Sequence, residues 1–138
     1  MSKVVLSVVV DTNFMTVPSQ FNVDVFSEAE RVLECRVEFV VLPSVREEIE
    51  ARARDARRGS DKRAFKIAGE LVSRCRIAEV EESLLELPVD DQLLEYTTSA
   101  EGVLATNDKE LRARARALGI PVLFLRAQKR LALDGVLP

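Results

Sequence analysis

The chain has 138 residues, a formal net charge of −3, 47% hydrophobic and 31% charged residues, five glycines and five prolines. That size and mixture suit one folded domain and exclude collagen-like and disordered classes. Histidine is absent, which removes imidazole bases, Ser-His-Asp and Cys-His nucleophile systems and imidazole-bound zinc. Chemistry is left to carboxylates, hydroxyls, thiols and cations.

Cys35 and Cys75 are too few for a disulfide framework and lack paired metal spacing. Both are expected as small buried hydrophobes. The apolar run Val4–Val10 contains Ser7 and stops at Asp11, far short of the ~20 residues that cross a bilayer. No small-residue cleavage site follows it, so no membrane association and a cytoplasmic location are expected. Asn and Gln total only six while Arg, Glu and Val abound, a bias of heat-adapted proteins.

Strand and helix signals alternate along the chain. Lys3–Val10 is a Val/Leu run of the kind buried on both faces of a parallel sheet. Ser27-Glu28-Ala29-Glu30 has the form of a capping box opening a helix that ends near Cys35. Glu38–Leu42 is the second strand, and Pro43-Ser44 opens a helix through Arg54, with Ser44 and Glu47 as a second capping box. Gly59-Ser60 breaks the pattern before helical spacing resumes over Asp61–Arg74, which predicts a helical hairpin.

Ile77–Val80 reads as a short strand, the segment after Val89 as a helix carrying Leu93 and Leu94, and Val103–Ala105 as a strand. Helix Lys109–Leu118 ends at Gly119, strand Pro121–Leu125 follows, and residues 127–138 look like a C-terminal docking tail on a single domain of residues 1–138. Such alternation implies a three-layer α/β/α sandwich around a mostly parallel sheet. Ligands of these sheets bind beyond the carboxyl ends of the strands.

Four acids fall there. Asp11 follows the first strand and Asp108 follows the strand ending in VLATN. Glu48 lies in the first turn after the second strand, beside Val45 and Ile49 at helical spacing, and is preferred to Glu47, the capping partner. Asp90 stands above the Leu93/Leu94 stripe, with Asp91 in support. Asp11 alone serves to end a strand and Asp108 alone serves as a helix cap; their joint occurrence with two further acids at equivalent places suggests one crevice. Crowded carboxylates repel unless protonated or bound to a cation. Hard oxygen donors suit Mg²⁺ or Mn²⁺.

Charge is also segregated. Between Ile77 and Asp108 stand nine acids and no Lys or Arg, whereas Arg52–Lys66 carries net +5 and Lys109–Arg130 net +6. Single runs of this kind are ordinarily solvated, ion-paired helix faces. As a pair flanking an acidic stretch they stand out: Arg52, Arg54, Arg57, Arg58, Lys62 and Arg63 on the hairpin, and Arg112, Arg114 and Arg116 near the last acid. Aromatic residues are scarce, with six Phe, one Tyr and no Trp, and core packing suits Phe14 and Phe21 best.

DTN after the first strand, PSVREEIE after the second, DDQLLEY and VLATNDKELR together resemble the PIN-domain family of metal-dependent nucleases across nearly the whole chain. The resemblance implies endoribonucleolytic cleavage, with Asp11, Glu48, Asp90 and Asp108 as catalytic acids binding one or two Mg²⁺ or Mn²⁺ ions. It also implies supporting roles for Asn13 and Thr106 and a homodimer, with Asp91 and Asn107 expected beside them. The RNA backbone, repelled by the acids, would be held by the arginines and lysine of the two basic blocks, with Phe14 and Phe21 the nearest candidates for limited base stacking. DTNFMTVPSQFNVDVF, ATNDKELR and the basic RAQKRL look more like archaeal PIN proteins akin to ribosomal-RNA-processing PIN nucleases. VapC-like toxins, which bring an antitoxin partner, and a non-catalytic RNA-binding or ribosome-assembly PIN protein are the alternatives. A haloacid-dehalogenase-type phosphatase needs a second acid where Asn13 stands, and a response receiver needs a Lys where the chain offers Arg126.

Overall fold

The computed structural model describes residues 5–56 and 59–137. A six-stranded sheet runs in the order β3-β2-β1-β4-β5-β6, formed by β1 (Val5–Val10), β2 (Arg36–Val41), β3 (Arg76–Ile77), β4 (Val103–Ala105), β5 (Val122–Arg126) and β6 (Arg130–Asp134). Neighbours pair in parallel except β5 and β6. The helices are α1 (Val17–Phe21), α2 (Val25–Leu33), α3 (Pro43–Asp55), α4 (Gly59–Val72), α5 (Glu82–Leu85), α6 (Val89–Ala100) and α7 (Lys109–Ala117). This is the α/β architecture expected, a mostly parallel sheet flanked by helices.

Burial along the central strands is graded. In both β1 and β2 the first residue is exposed and the last three are buried, so the carboxyl ends lie deepest in the core with Leu42, Val45 and Ile49. The chain moves outward from β1 through β2 to β3 and then returns to the other side of β1 as β4. β1 and β4 therefore flank the point where strand order reverses, the place where ligands of open α/β sheets bind. Gly102 makes their close approach possible. A Cβ there would stand 2.6 Å from the Ser7 carbonyl oxygen.

Several local readings change. The cap of α2 is Asp24, whose carboxylate accepts from the Phe26 and Ser27 amides; Ser27 is a donor to that cap through its hydroxyl at 2.8 Å and does not itself start the helix. Pro43 stands in the first turn of α3, where Leu42 caps without a side-chain bond. Ser44, free of capping, donates to Gln92 Oε1 at 2.8 Å and ties α3 to α6. Glu47 is an exposed helix residue. A 3-10 turn over Asn13–Thr16 and the short helices α1 and α5 were not foreseen, because one or two turns leave no periodicity to read. Helices α3 and α4 do pack together as a hairpin.

Within the segment read as a docking tail lies β6, hydrogen-bonded along β5 from Arg126↔Arg130 to Val122↔Asp134. Its outer edge is covered by side chains: Glu28 Oε1 accepts from the Leu131 amide at 3.0 Å, and Arg31 donates to the Leu131 carbonyl at 3.4 Å. Filling edge positions in this way removes a template for pairing with another strand. Cys35 and Cys75 are free and only half-buried, less enclosed than expected. Burial pushes the Cys75 thiol up to about 11, which makes it a poor nucleophile. No helix among the described residues is long and apolar enough to cross a membrane.

Candidate active site

Asp11 leaves the end of β1 with its amide still bonded to the Ala105 carbonyl of β4 at 3.1 Å. The sheet ladder thus carries the residue one step beyond the strand and holds it beside the β4 exit. Only 9% of Asp11 is exposed. Its Oδ1 accepts from the Phe14 amide at 2.8 Å, at the start of the 3-10 turn, and its Oδ2 accepts from the Thr106 hydroxyl. The Thr106 oxygen in turn accepts from the Asp108 amide at 3.1 Å. One hydroxyl therefore joins the acid after β1 to the loop bearing the acid after β4.

Asp108 combines two placements that the sequence left as alternatives. It is the cap of α7, with Oδ1 accepting from the Glu110 and Leu111 amides at 2.8 and 3.0 Å, and Oδ2 stands outside that cap. Burial, above all, pushes the Asp11 carboxyl up to about 6; the Thr106 and Phe14 hydrogen bonds oppose it, while repulsion from Asp108 and Asp90 adds to it. Asp90, in the first turn of α6, is also raised, by burial and then by Asp108, with Arg114 opposing. Asp11, Asp90 and Asp108 thus feel one another's charge.

Glu48 reaches the same end of the sheet by another route. Its Oε2 accepts from the Thr12 hydroxyl at 3.1 Å, and its Oε1 pairs with Arg52 at 3.1 Å, one helical turn on. Thr12, adjacent to Asp11, is a positioning residue the sequence reading passed over. Its signal is the hydroxyl directly after the strand-terminal acid. Among the described residues, no three His, Cys, Asp or Glu side chains converge closely enough to make a ready metal cage, so the acids are more open than the crowding expected from sequence.

The supporting residues divide. Asn107 Oδ1 accepts from the Leu125 amide at 2.7 Å and pins the β4–α7 loop to β5. Asp91 pairs with Arg114, and the exposed Asn13 lines a cleft described below. The cations divide as well. Arg112 and Arg116 both pair with Asp134, at 2.8 and 3.3 Å, and Arg112 stacks over Phe124 at 3.7 Å. These two clamp α7 to the end of β6. Arg54 pairs with its neighbour Asp55 at 3.3 Å, and Lys62 and Arg63 are exposed on α4. Arg57 and Arg58 lie outside the described residues.

A family model described as a PIN like domain matches residues 8–128. Ribonuclease VapC4 of Methanocaldococcus jannaschii is 30% identical over 132 residues, covering 94% of this chain and 97% of its own. Ribonuclease VapC9 of Archaeoglobus fulgidus is 31% identical over 126 residues, 91% of this chain and 87% of its own. Among solved structures, the PIN domain endonuclease Utp24 superposes with a TM-score of 0.75 at 22% identity, covering 95% of this chain and 92% of that one. The protein PAE2754 of Pyrobaculum aerophilum gives 0.54 at 16% identity, over 83% and 95%. At those identities the two structures bear on the fold alone.

Proposed function

This chain belongs to the PIN-like domain family, and on that premise we propose that it is a metal-dependent endoribonuclease whose centre is built on Asp11, Glu48, Asp90 and Asp108. One observation carries the reading. At the strand-order switch, a buried carboxylate that repels Asp108 and Asp90 is joined through the Thr106 hydroxyl to the Asp108 loop. A group of hard oxygen donors with unrelieved repulsion fits Mg²⁺ or Mn²⁺, which need only one or two carboxylates and keep several waters. Asp11 and Asp108 would hold the ion, with Asp90 and Glu48 at its rim. When bound, such an ion lowers the pKa of a water and neutralises charge growing on a phosphodiester.

The chain's own residues set the stage for that chemistry. Thr106 and the Phe14 amide fix the Asp11 carboxylate in one orientation, as partners behind a metal ligand do. Thr12 and Arg52 hold Glu48 by its two oxygens. An RNA backbone approaching this acidic end needs cations elsewhere. Lys62 and Arg63, exposed on α4, supply them, whereas Arg52 is paired with Glu48, Arg114 with Asp91, and Arg112 and Arg116 with Asp134.

Of the finer roles, a VapC-like ribonuclease is better supported than ribosomal-RNA processing. Two curated relatives across nearly the whole chain carry the VapC name, while the likeness to Utp24 is one of fold. The test is incubation of the protein with an RNA holding single-stranded segments in Mn²⁺, Mg²⁺ or EDTA, alongside Asp11→Asn and Asp108→Asn. Cleavage is expected with metal and wild type only. Cleavage that survives chelation and both substitutions overturns the reading.

A further inference from the structure

Beside the acids the surface opens into a cleft of about 480 Å³, within the roughly 300–1,000 Å³ typical of small-molecule sites. It lies where α1 and α4 pack against each other and against the 3-10 turn. Its lining includes Asn13, Gln20, Phe21, Arg52, Phe65 and Asn107. Three of these are tied to the acids. Asn13 stands two residues after Asp11, Asn107 directly precedes Asp108, and Arg52 bonds Glu48.

The chemistry of the lining is that of a base rather than a phosphate. Phe21, Phe65 and Leu125 give it apolar wall, and the Asn13 and Gln20 amides carry both donors and acceptors. Asp61 adds a carboxylate, which repels phosphate oxygens but accepts from the N–H groups of a base edge. Arg52 lies over the Phe65 ring at 5.4 Å, so a guanidinium and a ring, each a group on which bases stack, stand together in the lining. Unpaired bases of RNA stack on such planes and are read on their edges by short polar side chains. In a chain with so few aromatic residues, two of them border this single cleft.

We propose that the cleft bordered by Phe65, Phe21, Asn13 and Gln20 is a base-binding subsite, receiving one unpaired nucleobase of an RNA strand whose adjacent phosphate lies over the acids. The inference rests on the ribonuclease reading for its orientation. It adds a source of preference for single-stranded substrate that the carboxylates do not supply.

The test measures binding in EDTA, where cleavage is off. A fluorescein-labelled single-stranded RNA octamer of mixed sequence is compared with an octamer of abasic tetrahydrofuran nucleotides, which keeps the phosphates and lacks bases. Wild type is expected to prefer the intact strand. Phe65→Leu, which keeps apolar volume and removes the ring, is expected to weaken intact RNA about fivefold or more, as lost stacking does, and to leave the abasic strand unchanged. Gln20→Ala, at an exposed position whose amide oxygen accepts from the Thr16 hydroxyl at 3.3 Å, is expected to act in the same base-dependent sense. Equal loss on both strands, no loss on either, or equal wild-type affinity for both overturns the subsite. The ribonuclease reading fails separately, if metal-dependent cleavage is absent while the base-dependent difference stands.

Discussion

Asp11 and Asp134 occupy opposite situations in one sheet. Asp11, just after β1, is buried, repelled by Asp108 and Asp90, and reached by hydroxyl and amide donors, with no cation paired to it among the described residues. Asp134, at the end of β6, is partly exposed and gripped by Arg112 and Arg116, and the Arg112 hydrogen bond holds its carboxyl below the usual carboxylate range. The second arrangement secures an edge strand to a helix. The first leaves a carboxylate desolvated beside the central strands, where a stability argument alone gives no reason for it. Charge is therefore left uncompensated beside Asp108 and Asp90 and is balanced at the end of β6.

The largest effect comes from removing that unbalanced charge. Asp11→Asn is expected to lower RNA cleavage by more than about 100-fold, since even partners behind a metal ligand are worth roughly 10–100-fold. The same substitution raises stability at neutral pH in EDTA. Asp11 has a folded-state pKa near 6 against an ordinary 3.8, so its stabilising contribution is fully present below pH 3.8 and is lost as pH rises through 6. The difference amounts to about 3 kcal/mol. Urea melts of wild type and Asp11→Asn at pH 4 and 7.5 read it directly. Parallel curves at both pH values would mean that Asp11 is not desolvated.

Next in size is Thr106→Val. It removes the hydroxyl that joins Asp11 to the Asp108 loop, and is expected to cost roughly 10–100-fold in cleavage with the fold intact by circular dichroism. Gly102→Ala forces a Cβ against the Ser7 carbonyl and so drives apart the strands that carry Asp11 and Thr106. Overpacking of this kind costs about 1–3 kcal/mol, readable as a lower melting midpoint. The smallest effects separate committed from available cations. Lys62→Gln, at an exposed position of α4, is expected to reduce the slope of log affinity against log salt by about one on RNA. Arg112→Gln should leave that slope unchanged, because Asp134 and Phe124 already engage its guanidinium. An equal change in both slopes removes the distinction between the two basic blocks.

Much of this was legible in the chain. The Val-rich run, Pro43 in the first turn of α3, the capping Asp108 and the terminal Gly119 speak through local rules of period and cap, and they suffice for element order and class. Asp11 and Asp108 are legible for the same reason, since a strand-terminal acid is a matter of sequence position. Of the two neighbouring glutamates in α3, Glu48 meets Thr12, whereas Glu47 is exposed. What failed to read were groups with tertiary partners. Ser44 looks like a cap and instead reaches Gln92; Arg112 and Arg116 look like an RNA face and instead hold Asp134; Phe65 looks like one more helix residue and instead borders a cleft.

Sequence alone determined the alternation of elements, the absence of imidazole chemistry and the placing of acids at strand ends, because backbone periodicity, caps and residue inventory are local properties. Tertiary structure alone decided which charges are spent on one another. Burial sets the Asp11 carboxyl apart from Asp134, and a hydroxyl from β4 meets an acid from β1 only because the sheet returns to that side. Coulomb energy and desolvation depend on distance and enclosure in space, which neighbours in the chain do not specify.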